Sequence, residues 1–131
     1  MKITKMAAIV LAFSLWVGCA SNDVNKGVGV PLNTVNFLDK ALEEKVAVQS
    51  TNARRSASDT VEVWAVLRNK TDKTLQLEAR TQFFDRQQAP GEPPTAWQRL
   101  FLPSGALGTY KDFSTKVSEV GYYYIEIREV R

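Results

Sequence analysis

The fold of this chain is determined by residues 60–85, TVEVWAVLRNKTDKTLQLEARTQFFD. Apolar and polar side chains alternate with a period of two on both sides of a polar centre at 69–73, which is the pattern of two β-strands joined by a turn. Residues 60–68 and 74–85 are therefore predicted to form a long antiparallel hairpin. On the first strand Val61, Val63, Ala65 and Leu67 share one face, and on the second Leu75, Leu77, Ala79, Thr81 and Phe83 share one face.

Turn residues divide the sequence after this hairpin. The prolines in 86–95 predict a loop, and strands are expected over 96–102, 106–113 and 121–130. Six or seven strands at this spacing indicate an all-β, antiparallel sandwich. Between its sheets we expect the side chains of Trp97 and Tyr123.

The residues before the hairpin are predicted to change character twice. Residues 19–36 are polar and contain glycine, so a flexible tether is expected ahead of a domain spanning 37–131. A short helix is predicted within 33–45, and from 46 the pattern changes to that of a strand, with 52–58 as an exposed connection. In that helix Asn33 or Thr34 would be the N-cap, and Val35, Leu38, Ala41 and Leu42 would share one side.

Residues 1–18 are predicted to be a lipoprotein signal peptide. A basic start with Lys2 and Lys5 precedes the apolar run 6–17. That run is shorter than the roughly 20 residues needed to cross a bilayer but fits a secretory signal helix. The segment ends in Val17-Gly18-Cys19, which resembles a bacterial lipobox. An ordinary secreted protein with a chance cysteine is the alternative.

The lipobox resemblance implies cleavage between Gly18 and Cys19 and attachment of lipid, including palmitate, to Cys19. Two or more acyl chains give stable membrane attachment where a single chain does not. Ala20 and Ser21 follow the cysteine, whereas aspartate there is the familiar signal for retention at the inner membrane. The expected location is the periplasmic face of the outer membrane.

Composition excludes several kinds of chemistry. The chain has no histidine and one cysteine, so the usual general base and the commonest metal ligand are missing. Neither a metal nor another cofactor is expected. Lys2 and Lys5 account for two of the 17 basic side chains against 14 acidic ones, so the remaining chain carries a net charge of only about +1, which gives no reason to expect a nucleic-acid partner.

The order of these segments resembles the YcfL family of small bacterial lipoproteins over residues 37–131. The resemblance implies an immunoglobulin-like β-sandwich at the outer membrane and supplies neither an established activity nor functional residues. It is carried by Leu38 to Lys45 with Val46-Ala47-Val48, by Leu67-Arg68-Asn69-Lys70-Thr71, by Arg80-Thr81-Gln82-Phe83-Phe84-Asp85, by the proline-rich loop with Trp97, Leu100 and Leu102, and by Ile125-Glu126-Ile127-Arg128.

A partner-binding patch is predicted from Trp64, Arg80, Tyr122 and Tyr124, because protein interfaces are enriched in Trp, Tyr and Arg. The alternative is that these side chains flank an ordinary solvent-facing strand. Arg54-Arg55 forms a small basic cluster that would favour anionic lipid or peptidoglycan stems, although two charges supply little energy.

Other motifs favour structural roles. Asp85 and Glu92 are candidates for paired catalytic carboxylates, but no base or oxyanion hole accompanies them, so exposed loop charges are the preferred interpretation. Ser104-Gly105 has no partner histidine. Asn69-Lys70-Thr71 matches the N-glycosylation sequon, yet a simple turn is favoured.

These patterns predict a non-catalytic, lipid-anchored protein that binds another envelope protein or the cell wall. A secretion-system accessory lipoprotein remains an alternative within the class of binding proteins. A cell-wall hydrolase is the alternative from a different class, and the absence of histidine disfavours it. The oligomeric state is left open.

Overall fold

Seven strands and one helix of four residues make up the part of the chain that the computed structural model describes, residues 32–116 and 119–130. The signal peptide, Cys19 and most of the predicted tether lie outside these residues. The elements are β1 Thr34–Phe37, α1 Leu42–Lys45, β2 Val46–Arg55, β3 Val61–Asn69, β4 Leu75–Asp85, β5 Gln98–Leu102, β6 Leu107–Phe113 and β7 Val120–Glu129.

The strands form two sheets packed face to face. Sheet A has the order β1-β7-β4-β5 and sheet B the order β2-β3-β6. Strands β2-β3-β6 and β7-β4-β5 follow the A-B-E and F-C-C′ orders of immunoglobulin-like sandwiches. The predicted β-sandwich is therefore confirmed, with one difference: β1 pairs with β7 in parallel, so sheet A is not wholly antiparallel.

The core lies between the sheets and contains, from each strand of 60–85, the face that runs from Val61 to Leu67 and from Leu75 to Phe83, every residue of which is buried. Tyr123 is also buried there, as expected. Tyr110 brings a polar group into this core, where its hydroxyl donates to Asp112 Oδ2 over 2.7 Å and lies 2.8 Å from Thr81 Oγ1. Burial raises the pKa of Tyr110 well above its ordinary value, so this hydroxyl stays protonated and acts as a donor.

The predicted hairpin of 60–85 is wrong, although both of its strands exist. Strand β3 belongs to sheet B and pairs with β2 and β6, whereas β4 belongs to sheet A and pairs with β5 and β7. Residues 70–74 therefore cross from one sheet to the other. Alternation defines the inward face of each strand, but it is the same for two strands that pair side by side and for two that stack across a core.

Asn69 fixes this crossing. Its side chain is completely buried, and Nδ2 donates to the carbonyl oxygens of Lys73 (2.6 Å) and Leu102 (2.8 Å). Oδ1 accepts from the backbone N–H and the hydroxyl of Thr71. The backbone N–H of Asn69 donates to Ala106. The sequon is thus a structural turn, in which one amide joins the crossing to the end of β5.

The predicted helix over 33–45 is also wrong for most of its length. Thr34–Phe37 forms β1, which pairs with the edge of β7, and only Leu42–Lys45 is helical. Val35 and Phe37 pack against the core, so the sandwich begins at Thr34, within the segment predicted as tether. A helix this short gains little without docking, and the open edge of β7 offers backbone hydrogen bonds instead.

The predicted exposed connection over 52–58 is partly a strand. Asn52 to Arg55 continue β2 and pair with Trp64 to Val61 of β3. These residues are exposed, as expected, but exposure of side chains on an edge strand does not prevent its backbone from pairing. Within the described residues, no helix is long and apolar enough to cross a membrane.

Replacing Asn69 with alanine should destabilise the protein strongly. The change leaves the carbonyl of Leu102 without its buried donor and opens the crossing turn, and an unsatisfied buried group together with lost hydrogen bonds costs about 2–4 kcal/mol. Urea denaturation followed by tryptophan fluorescence measures the loss. Asn52→Ala, on the exposed part of β2, is the matched control and should change the unfolding free energy by less than about 0.5 kcal/mol. Equal losses in the two variants would contradict this role.

Candidate functional site

The predicted partner patch is divided between the two sides of the molecule. Arg80 on β4 and Tyr122 and Tyr124 on β7 alternate with buried residues and lie on the outer face of sheet A. Trp64 on β3 lies on the outer face of sheet B, because its neighbours Val63 and Ala65 point into the core. Three of the four residues therefore share a surface, and Trp64 does not.

The tryptophan that lies beside Arg80 on the outer face of sheet A is Trp97, where Trp64 was predicted. The prediction that Trp97 belongs to the core is wrong: its ring lies against two guanidinium groups on the outer face of sheet A. Arg80 Cζ is 4.4 Å and Arg128 Cζ 3.9 Å from the ring centroid, within the range of cation–π attraction. We call Arg80, Trp97 and Arg128 the Trp97 stack.

The sequence carried a signal for this position. Leu102 is buried and Leu100 packs against the core, so the period of two places residues 97, 99 and 101 on the opposite, outward face. Phe101 follows the same rule and is 59% exposed. The aromatic character of Trp97 suggested the core, whereas the alternation indicates the surface.

Cross-strand ion pairs hold the Trp97 stack. Arg80 Nε donates to Glu126 Oε2 over 2.5 Å, and Arg128 contacts Glu78 Oε2 at 2.8 Å. In each pair the two residues are directly opposite in the β4–β7 register, which is the geometry in which opposite charges on neighbouring strands attract. The arginines are thus oriented by their carboxylates before anything binds to them.

Aromatic rings extend the stack along sheet A. The Phe84 and Tyr124 rings are 5.3 Å apart and tilted by 38°, a favourable arrangement for aromatic pairs. Tyr122 is opposite Phe84 in the register. Burial, and then the Glu126 carboxylate, raise the pKa of Tyr124. We call the surface formed by the Trp97 stack, Phe84, Tyr122 and Tyr124 the aromatic face.

The candidate catalytic carboxylates have structural roles. Asp85 Oδ1 accepts from the backbone N–H groups of Gln87 and Ala89, each over 2.9 Å. Glu92 accepts from Thr115 and from the backbone of Lys116 at 3.1–3.2 Å. Each carboxylate therefore stabilises a loop by accepting hydrogen bonds from it. Among residues 32–116 and 119–130 there is no group of three or more His, Cys, Asp or Glu side chains able to hold a metal ion.

The outer face of sheet B has a similar composition but a different arrangement. Arg54 lies 5.5 Å from the Trp64 ring centroid and donates to Glu62 Oε2 over 2.6 Å. Lys111 Nζ is 3.0 Å from Glu62 Oε1, and these two cations leave Glu62 only 4% exposed. Arg54 foremost, and then Lys111, hold the pKa of Glu62 below its ordinary value. This cluster joins the three strands of sheet B.

No family model matches the sequence, and no curated protein matches it. Two solved structures of small bacterial proteins are similar to this chain. Campylobacter jejuni cj0090 is 17% identical with a TM-score of 0.57, covering 75% of this chain and 99% of that one. A DUF1425 family member from Shewanella sp. pv-4 is 17% identical with a TM-score of 0.58, covering 66% of this chain and 79% of that one. At this identity the likeness shows the fold alone.

Glu62→Gln should remove a pH-dependent part of the stability. Because the folded pKa of Glu62 is lowered from 4.5, the contribution of its carboxylate is complete above about pH 4.5 and is lost as the pH falls through the lowered value. Urea denaturation should therefore show the variant less stable than the wild type at pH 7 and the gap narrower at pH 3. Glu44→Gln, on the exposed side of α1, should leave no such gap. A gap for Glu62→Gln that is equal at both pH values would refute this role.

Proposed function

We propose that this chain is a non-catalytic, lipid-anchored envelope protein at the periplasmic face of the outer membrane, where it binds another envelope protein or the cell wall. The observation that carries this proposal is the aromatic face, which presents Trp97 against Arg80 and Arg128. Trp, Tyr and Arg are the residue types that contribute most of the binding energy at interfaces.

The aromatic face is ordered before it meets a partner. The ion pairs to Glu126 and Glu78 hold the two arginines in place, and Trp97 is packed against them. Binding usually costs about 0.5–1.5 kcal/mol for each flexible side chain that becomes immobilised. A surface whose long side chains are already held avoids much of that cost, which favours a binding role.

The anchor follows from the lipobox resemblance at Cys19. The first strand of the described residues begins at Thr34, so 14 residues separate it from Cys19. As a flexible chain they would span about 20 Å, enough to let the domain turn beside the membrane. The resemblance to the YcfL family implies an outer-membrane lipoprotein with a β-sandwich, and the sandwich is the part of that implication that the fold supports.

Lipid attachment predicts that cells given alkyne-labelled palmitate will label the wild-type chain and not Cys19→Ala, because Cys19 supplies the sulfur that receives the diacylglyceryl group and the amino group that is acylated. The label is read by gel fluorescence after affinity purification. Ser21→Ala is the matched control and should keep the label. An unlabelled wild-type chain, or a labelled Cys19→Ala, would exclude this anchor.

The binding role predicts that Trp97→Ala abolishes the capture of a specific partner by crosslinking in living cells. The change removes the ring that lies against Arg80 and Arg128, and truncation of a hot-spot residue costs about 2 kcal/mol or more, or roughly thirtyfold in affinity. Captured proteins are identified by mass spectrometry with the anchor intact, and thermal melting checks the fold.

Trp64→Ala provides the matched control, since it removes the same side chain from the opposite side of the sandwich. It should capture the same partner as the wild type. Identical capture by the wild type and both variants would exclude the aromatic face as the binding surface.

A further inference from the structure

A groove opens at one corner of the sandwich, between the end of β2 and the start of β7. Its volume is about 450 Å³, within the range of ligand-binding clefts. Val61 and Val120 form its apolar floor, residues 51–55 form one wall, and Asn33 with residues 121–123 forms the other. Of these residues, only Tyr122 belongs to the aromatic face.

The groove exists because β1 begins later than β7 does: β7 starts at Val120, whereas the first residue of β1, Thr34, pairs with Tyr124. Asn33, which has a φ of 57°, immediately precedes β1 and is bonded to β7: its N–H donates to Tyr123 O, and Tyr123 N–H donates to Asn33 Oδ1. Pairing with β1 covers β7 only from Tyr124 onward. Within the described chain, Val120 to Tyr122 have no strand beside them on this side. About three residues of an extended chain would fit along this edge at about 3.3 Å each.

The charge of the groove selects the ligand. Its lining contains Arg54 and Arg55 and no carboxylate, but Arg54 pairs with Glu62 on the outer face of sheet B, so Arg55 is the cation that the groove offers. Arg55 shares the inward side of β2 with Thr51 and Ala53, and its guanidinium donates to Val120 O over 3.0 Å and to Asp59 over 3.2–3.4 Å. These contacts use at most three of its five N–H groups. The remaining donors lie at the groove, where a carboxylate would form charge-assisted hydrogen bonds.

We propose that this groove binds an extended peptide segment of a partner protein that ends in a free carboxylate. The peptide adds a short strand to the edge of β7 at Val120–Tyr122, in line with β1, and its carboxylate binds Arg55. Strand addition supplies backbone hydrogen bonds, and capture of the carboxylate supplies specificity. This site is separate from the Trp97 stack, so an experiment can disprove the binding role of one without affecting the other.

Peptide selection on the purified full chain carrying Cys19→Ala tests the proposal. A random hexapeptide library with free C-terminal carboxylates is selected for binding, and the enriched peptides are then synthesised as carboxylates and as amides. Fluorescence anisotropy should show Kd rising at least tenfold for the amide form, and likewise for the carboxylate form with Arg55→Gln. Arg68→Gln, an exposed arginine on β3, is the matched control and should change Kd by less than twofold.

Chemical-shift mapping on the unsubstituted groove keeps the test independent of any variant's folding. The amide signals of Gly121 and Tyr122 should move when the peptide is added. Failure to enrich any peptide, binding that is indifferent to the carboxylate, or shifts centred on Trp97 instead would each overturn the proposal. So would nuclear Overhauser contacts in the free protein between Gly121 and residues 20–31, because the chain itself would then fill the groove.

Discussion

The buried amide of Asn69 is the constraint on which the two sheets depend. It lies where β3 leaves sheet B, and its hydrogen bonds reach both the crossing turn and the carbonyl of Leu102 at the end of β5. One side chain thus joins the segments that pass between the sheets. Because β3 and β4 enter different sheets, their outward residues lie on opposite sides of the molecule, and this alone separates Trp64 from Arg80.

The two central strands could be predicted from sequence because their alternation is long enough to identify every inward residue. Their pairing could not, since alternation carries no information about which strand lies alongside. The prediction also missed β1, because four residues contain too little periodicity and the strand depends on the distant edge of β7. Trp97 was predictable in principle: its position relative to Leu100 and Leu102 indicates the surface, but its size and aromatic character favoured the core.

The two outer faces show how similar residues acquire different roles. Each has a tryptophan beside an arginine that pairs with a glutamate. On sheet B, Glu62 is nearly inaccessible to solvent because Arg54 and Lys111 both pair with it. This cluster therefore serves to connect the three strands of the sheet. On sheet A, Arg80 pairs with Glu126 and Arg128 with Glu78 across β4 and β7. Trp97 and Tyr124 lie beside these pairs on the outer surface. Register, more than composition, therefore distinguishes a structural cluster from a candidate binding face.

The position of Asn33 also shows at which end of the sandwich the N-terminal residues join it. The chain enters β1 from Asn33, beside Tyr123 and near the end of the molecule where β7 begins, and Asn69 lies toward the other end, where β7 ends. If lipid holds the N-terminal side, the Asn33 end is proximal to the bilayer and the Asn69 end is distal. The aromatic face then lies on the flank. The groove beside Asn33, by contrast, lies at the end from which the N-terminal residues reach the sandwich.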